Sequence, residues 1–287
     1  MLVAQRSRHR IHSFRLHRPS TAADAVTLHA RSKGIAAYMG GGIDVMAALK
    51  AGRRFDDVIH LGALPNRTSI EQCGNEIVLG AGVTYDALAR SAVVRRAYPR
   101  LAESWARIAN NRIRIKGTIA GNLMAGNVAY DFPMVAIAAD AQIESMTSQL
   151  SLASFAASHR SELGAADLIT AIRLPASGCL GLVIQLEWKP ILAFALSFRR
   201  ERGVVTARLA VGAGFASVAF SQVDLGRDLL DRFPRKAASD LAEALCASLP
   251  PPLTDWRASC DYRRNLLKVL VRRELELMRL AEPTHAA

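Results

Sequence analysis

The chain has 287 residues, 51% of them hydrophobic and 22% charged, and a formal net charge of +12. That length provides for two domains, each able to bury its own core without staples, and the composition excludes wholesale disorder and a membrane class. The longest nearly uncharged stretch, Leu209 to Val223, carries glycines and serines and falls short of the ~20 apolar residues that cross a bilayer, so a soluble protein without a membrane span is expected.

The positive charge comes mostly from arginine, with a local run at Arg6, Arg8, Arg10, Arg15 and Arg18. Nucleic-acid binding would call for interleaved aromatics or a helix-turn-helix or zinc-finger spacing; neither is present, so no nucleic-acid partner is expected. A basic field equally suits an acidic partner subunit or an anionic cofactor. The N-terminus lacks an apolar core followed by a small-residue cleavage site, so no secretory signal is expected. Its Arg and Ser content without acids faintly resembles a transit peptide; a ragged start ahead of the first strand is the less demanding reading. Cys73, Cys179, Cys246 and Cys260 are far apart and form no C-x-x-C, which argues against a disulfide scaffold and against a metal or iron-sulfur site of the chain's own. Buried thiols in a reducing, cytoplasmic compartment are expected. His9 and His12 are the only close pair of histidines, and no metal site is expected there.

In chain order, Ile11 to Leu16 reads as a strand, and Pro19, Ser20 and Thr21 start a helix that stops at Gly34. Ile35 to Met39 is a second strand, Ile43 to Lys50 a helix and Asp57 to Leu61 a third strand. This β-α-β-α-β opening predicts a parallel arrangement whose strand-end loops build binding sites. Ile77 to Leu79 is a short strand, Thr84 caps a helix through Ser91, and Pro99 opens another to about Ala109. Lys116 to Asp131 reads as a long Gly- and Asn-rich loop, a kind that is usually functional or disordered. Leu168 to Leu174 is a strand, and Ala176 to Gly181 has the composition of a linker. Beyond it, Leu182 to Trp188, Ala193 to Arg199 and Val204 to Val211 read as strands, the last two joined by a turn at Arg202-Gly203. Lys236 to Leu249 and Arg257 to Leu280 are helical, with Leu266, Leu270 and Leu277 expected on one face of the latter.

Two segments have the chemistry of anion sites. Gly40-Gly41-Gly42-Ile43-Asp44 lies between a strand and a helix, where unobstructed amides and a helix N-terminus favour negative charge. Alone it equally describes a tight turn, and it is neither a triphosphate loop nor a G-x-G-x-x-G fingerprint. Gly117-Thr118-Ile119-Ala120-Gly121-Asn122 pairs small residues with a hydroxyl and an amide, a pattern shared with polar surface loops. Asp131, before Phe132-Pro133, suits either sugar hydroxyls or the capping of a helix, and by itself the cap is preferred.

Taken together, GGGID at 40–44, GAGVTYDAL at 80–88, RIRIKGTIAGN at 112–122, DFP at 131–133 and DWRASCDYRRNLLKVLVRREL at 255–275 resemble the FAD-binding subunits of the xanthine dehydrogenase and carbon monoxide dehydrogenase family. The resemblance runs from about Ile11 to Leu280. It implies an α+β chain. Residues 1–176 would form a split, two-subdomain FAD-binding fold, a small parallel β-α-β part plus a mixed or antiparallel sheet. Residues 177–287 would form a C-terminal α+β domain with a three-stranded antiparallel sheet and helices. It further implies that Gly40, Gly41, Gly42, Ile43 and Asp44, with Thr118, Ile119, Ala120, Gly121 and Asn122, hold the FAD pyrophosphate through backbone donors, and that Asp131 takes ribityl or ribose hydroxyls. Arg114 matches the family arginine, and Trp188 and Lys189 are candidate flavin neighbours, with core or interface packing the alternative for Trp188. Ile43 stands where the family often has a hydroxyl, Ile115 replaces a common asparagine, and Ala120 replaces a glycine. The first two changes remove side-chain hydrogen bonds of ~1 kcal/mol each. The third matters only if that position needs a positive φ.

The implied function is electron transfer in a molybdenum hydroxylase. A large molybdopterin subunit would oxidise the substrate, a small subunit with two-iron two-sulfur clusters would relay electrons, and this chain's FAD would pass them to an external acceptor. No catalytic acid-base residue or metal ligand is then needed here, because the flavin carries the redox chemistry. The rival readings are a stand-alone flavin oxidase or reductase of the same fold, and a non-enzymatic interaction module with a degenerate flavin loop.

Overall fold

The computed structural model describes residues 11–106, 108–157, 167–185, 190–227, 232–278 and 280. The chain opens as β1 (Arg15–His17), α1 (Ala22–Arg31), β2 (Ala36–Met39), α2 (Ile43–Lys50) and β3 (Asp57–His60). These strands form a parallel sheet in the order β1-β3-β2. Thr21 starts α1 by accepting the Asp24 amide and donating to its carboxylate, a reciprocal cap. Asp57, buried at the head of the central strand, accepts both Arg15 Nε and Nη2 at 2.7 Å and Ser32 Oγ at 2.6 Å, with His17 Nε2 also at 2.7 Å. One carboxylate therefore ties β1, β3 and the end of α1 together. The Arg15 guanidinium, then Ser32 and His17, hold it well below the usual carboxylate range.

The middle of the chain supplies β4 (Ile70–Cys73), β5 (Glu76–Gly80), α3 (Tyr85–Arg90), α4 (Ala92–Ala97), α5 (Pro99–Trp105), α6 (Asn111–Arg114), α7 (Ile119–Ala125), α8 (Asp131–Ala138), β6 (Gln142–Ser145), β7 (Gln149–Ser151), α9 (Leu152–Ala157) and β8 (Ile169–Pro175). Its five strands form an antiparallel sheet in the order β4-β5-β8-β6-β7. Every residue of α8 from Phe132 to Ala138 is buried, the condition of a helix apolar all round that lies inside a core. Phe132 packs against Trp105 and Tyr85, with ring centroids 5.6 and 6.3 Å apart.

The remainder forms β9 (Cys179–Gln185), β10 (Phe194–Glu201), β11 (Val204–Val211), β12 (Ala219–Asp224), α10 (Arg235–Ala247) and α11 (Cys260–Leu277). Successive side chains of a strand point to opposite faces, and β10 uses both. Phe194, Leu196 and Phe198 enter the core shared with α10 and α11, while Ala195, and Ala193 just before the strand, enter the core around α8. The small residues on the second face let α8 lie close to the sheet.

Four sequence expectations change here. The C-terminal sheet has four strands rather than three, in the order β12-β11-β10-β9; its extra strand, Ala219–Asp224, begins within the Leu209–Val223 stretch. The stretch 176–181 is not a free linker, because β9 begins at Cys179 and pairs with β10. The stretch 116–131 is not one long loop, since α7 occupies its middle. The buried face of α11 carries Arg263, Leu267, Val271 and Leu275; Leu266 and Leu270 pack half-buried against the same core, as expected, while Leu277 is 76% exposed. Arg263 explains the displaced stripe: its guanidinium donates to the Leu253 carbonyl and to Asp255 Oδ2, so a charged residue holds an inward position that hydrophobicity assigns to a neighbour.

Candidate functional site

The glycine run folds into the N-terminus of α2. Gly42 is its cap residue, with φ +80°, a left-handed conformation that glycine adopts without penalty. No side chain caps α2, in contrast to α1, α3, α4, α6, α7 and α11, which are capped by Thr21, Thr84, Ser91, Asn110, Thr118 and Ser259. The first-turn amides of α2 are therefore left to a ligand or to water. The run is also wedged against the second segment. A Cβ on Gly41 would overlap the Lys116 carbonyl oxygen, and one on Gly40 would stand 2.8 Å from Thr118 Oγ1. Side chains are excluded from this seam, which leaves backbone on one side and the Thr118 hydroxyl on the other.

The second segment is the N-terminus of α7, and most of its backbone donors are already engaged. Ile119 N–H donates to Val83 O at 2.9 Å, Ala120 N–H to Ala81 O at 3.2 Å, and Asn122 N–H to Thr118 O at 2.9 Å. Gly121 N–H donates to Thr118 Oγ1 at 3.2 Å. The expectation that these amides face a phosphate is corrected accordingly. What the segment offers instead is the proton of the Thr118 hydroxyl and the side chain of Asn122, whose buried Oδ1 has no hydrogen-bond partner. Ile119 is turned into the core. Ala120 sits within α7, where no positive φ is required, so the loss of a glycine there changes nothing in the backbone. Arg114 has a structural task, donating Nη1 to the carbonyls of Ile108 and Ala109.

Asp131 is the first residue of α8 rather than its cap; that position belongs to Tyr130, and no side chain caps the helix. Burial raises the Asp131 carboxyl to about 6. Tyr130 Oη donates to Asp44 Oδ1 at 2.7 Å across 86 residues of sequence, so the start of α8 touches the start of α2. Gly40 to Asp44 thus meet Thr118 and Tyr130 at the start of α2, whereas the side chain and amide of Ile119 are both committed elsewhere.

Beside this seam, between the parallel sheet and the five-stranded sheet, lies a cleft of about 170 Å³. Gly40, Thr118, Ala120 and Gly121 form one side. Leu61, Leu64, Leu168 and Tyr38 also line it, with Arg67 and Asp167 as its charged members. Sequence reasoning missed those wall residues because they come from strand β2 and from two separated connections, the one after β3 and the one before β8. One signal was present: Ala81 and Gly82 of the GAGVTYDAL stretch line the cleft, and a Cβ on Gly82 would overlap the Arg67 guanidinium. Trp188 and Lys189 lie outside the described residues. Among the described residues no group of His, Cys, Asp or Glu is arranged to hold a metal, and no helix is long and apolar enough to cross a membrane.

The chain is thus of α+β architecture, with an uncapped helix start behind a glycine seam and a cleft beside it. Residues 12–177 match the family described as FAD binding domain in molybdopterin dehydrogenase, and the chain belongs to that family. It is an FAD-binding oxidoreductase subunit. Among characterised relatives, the chain is 27% identical over 277 residues to the carbon monoxide dehydrogenase medium chain of Afipia carboxidovorans, covering 92% of this chain and 96% of that one. It is also 27% identical over 238 residues to the nicotine 6-hydroxylase medium subunit of Paenarthrobacter nicotinovorans, covering 76% and 80%. In fold it is similar to a chain of quinoline 2-oxidoreductase from Pseudomonas putida 86, with TM-score 0.79, 20% identity and 93% and 97% of the two chains covered. A carbon monoxide dehydrogenase chain from Hydrogenophaga pseudoflava gives TM-score 0.78 at 23% identity, covering 94% and 99%.

Proposed function

We propose that this chain is the flavin-carrying medium subunit of a molybdenum hydroxylase, and that its FAD pyrophosphate lies on the uncapped start of α2. The observation that carries the reading is the open donor set at the seam: the amides at the start of α2, which no side chain caps, lie against the Thr118 hydroxyl, whose oxygen a Cβ on Gly40 would meet at 2.8 Å. The residues fit the group. A bridge of two phosphates needs donors rather than acceptors, and fixed backbone donors at a helix start favour it without a counter-charge. Asp131 accepts sugar hydroxyls as a carboxylate. The apolar walls of the cleft beside Gly40 take the less polar end of the dinucleotide and exclude water.

When bound, FAD accepts and releases electrons at its ring; the chain's own residues bind, orient and shield it. The partners in this reading are a large molybdopterin subunit, where substrate is oxidised, and a small subunit whose two-iron two-sulfur clusters deliver electrons one at a time. Names of relatives such as "medium chain" and "medium subunit" support that arrangement. Of the four cysteines only Cys246 is buried, against the expectation of buried thiols, and Cys73 is exposed; a reducing, cytoplasmic setting belongs to the same proposal. The division into residues 1–176 and 177–287 belongs to the same proposal, the second part being the sheet of β9 to β12 with α10 and α11. The test is anaerobic reduction of the flavin-loaded chain. Substrate of the complex should bleach the flavin when both partner subunits are present and not when the chain is alone; bleaching by a small substrate with the chain alone would instead make it a self-sufficient oxidase.

A further inference from the structure

The first turn of α2 contains an anion of its own. Asp44 is the second residue of the helix, where a carboxylate is attracted to the same open amides that would serve a ligand. Left to itself, that side chain competes with an incoming phosphate and repels it. The structure gives the carboxylate another partner: Tyr130 Oη donates to Asp44 Oδ1 at 2.7 Å. Tyr130 is anchored by its place at the head of α8, of which Phe132 to Ala138 are buried, so the phenol arrives from a fixed point beside the core. Burial and then the Asp44 carboxylate raise this phenol to about 12, and it remains a donor throughout the neutral range.

We infer that Tyr130 is a positioning residue for the anion site: its phenol holds the Asp44 carboxylate off the start of α2, so that the amides there are left to the dinucleotide. The contact also explains how Asp44 belongs to a phosphate site without repelling the phosphate, since its amide faces the ligand while its side chain faces Tyr130. The inference rests on the flavin reading above and adds to it a residue outside both glycine-rich segments.

The experiment is a double-mutant cycle on the full chain, read as dissociation constants for FAD and for inorganic pyrophosphate by titration calorimetry, with melting temperature as the folding control. Tyr130→Phe is expected to weaken both ligands about tenfold, the usual size of a lost hydrogen bond to a charged group. In an Asp44→Asn background the same substitution is expected to have almost no effect, because no charge is left to restrain. Unchanged affinity in Tyr130→Phe, or a loss that persists undiminished in the Asp44→Asn background, overturns the inference while leaving the flavin site in place. A Tyr130→Phe chain that no longer folds also overturns it, because the contact would then serve the fold rather than the site. A wild-type chain that takes up no FAD overturns the flavin reading itself and this inference with it.

Discussion

Burial raises the Asp131 carboxyl from its ordinary 3.8 to about 6, which sets folding against function at one side chain. In the unfolded chain the group ionises near 3.8, so the folded protein is disfavoured relative to the unfolded one once both forms are charged. The group's favourable contribution is full below the unfolded value and lost as pH rises through about 6. A two-unit rise is worth on the order of 3 kcal/mol as an upper bound. Asp131→Asn is therefore expected to raise the melting temperature of the flavin-free chain at pH 7.5 and to leave it unchanged near pH 3.5. The same change should weaken FAD by roughly 1.5–3 kcal/mol above pH 6, since an ionised acceptor is lost. In the wild type, FAD affinity should fall as pH drops through about 6. Equal melting temperatures at pH 7.5, or FAD binding indifferent to pH, would sink that role. Asp131 was legible in the sequence as either a sugar acceptor or a cap. Tyr130 beside it was not, because a single aromatic before a helix carries no sign of a partner 86 residues away.

The helix start of α2 was the most legible element: the glycine run, Ile43 and Lys50 gave its bounds from sequence, and the structure has Ile43–Lys50. The hairpin at Arg202-Gly203 was legible for the same reason, since both residues have positive φ and the pair suits a tight turn. What misled was the opposite situation, where backbone chemistry is carried by tertiary contact. The 116–131 stretch lacks helical periodicity, yet α7 forms there because Thr118 caps it and because Val83 and Ala81 accept its first amides. Those amides looked like phosphate donors only as long as their acceptors, more than thirty residues upstream, were out of view. Two glycines separate seam packing from simple chain freedom. Gly41→Ala would drive a methyl into the Lys116 carbonyl and is expected to abolish FAD retention together with a melting-temperature loss of several degrees. Gly52→Ala, with φ +89° and nothing within 4 Å of the added methyl, should lower stability by about 1 kcal/mol and leave FAD binding alone. Comparable losses of FAD in both variants, measured side by side, would mean that the seam has no special part in the site.

At the scale of the whole molecule, the C-terminal sheet is the shared wall of two cores, and this is why β10 is buried on both faces from Phe194 to Arg199. A buried polar knot fixes it to the rest. Tyr98 Oη donates to the Pro175 carbonyl at 2.7 Å and accepts Arg199 Nη1 at 3.3 Å, Arg199 Nη2 donates to the Ser177 carbonyl at 3.2 Å, and Arg208 Nη2 pairs with Asp140 Oδ1 at 2.8 Å. The missed fourth strand follows from the same geometry: β12 is short, begins after a Gly- and Ser-containing turn, and gains its identity by pairing with β11 and packing on α10. None of that is local to its own residues. The two glycine-rich motifs, by contrast, meet at the seam, and they point to one cofactor. The visible absorption spectrum of the purified chain, recorded after incubation with FAD and removal of free flavin, tests that claim most directly. One bound flavin per chain is the predicted result; a folded chain that emerges colourless, alone and together with its partner subunits, would contradict it.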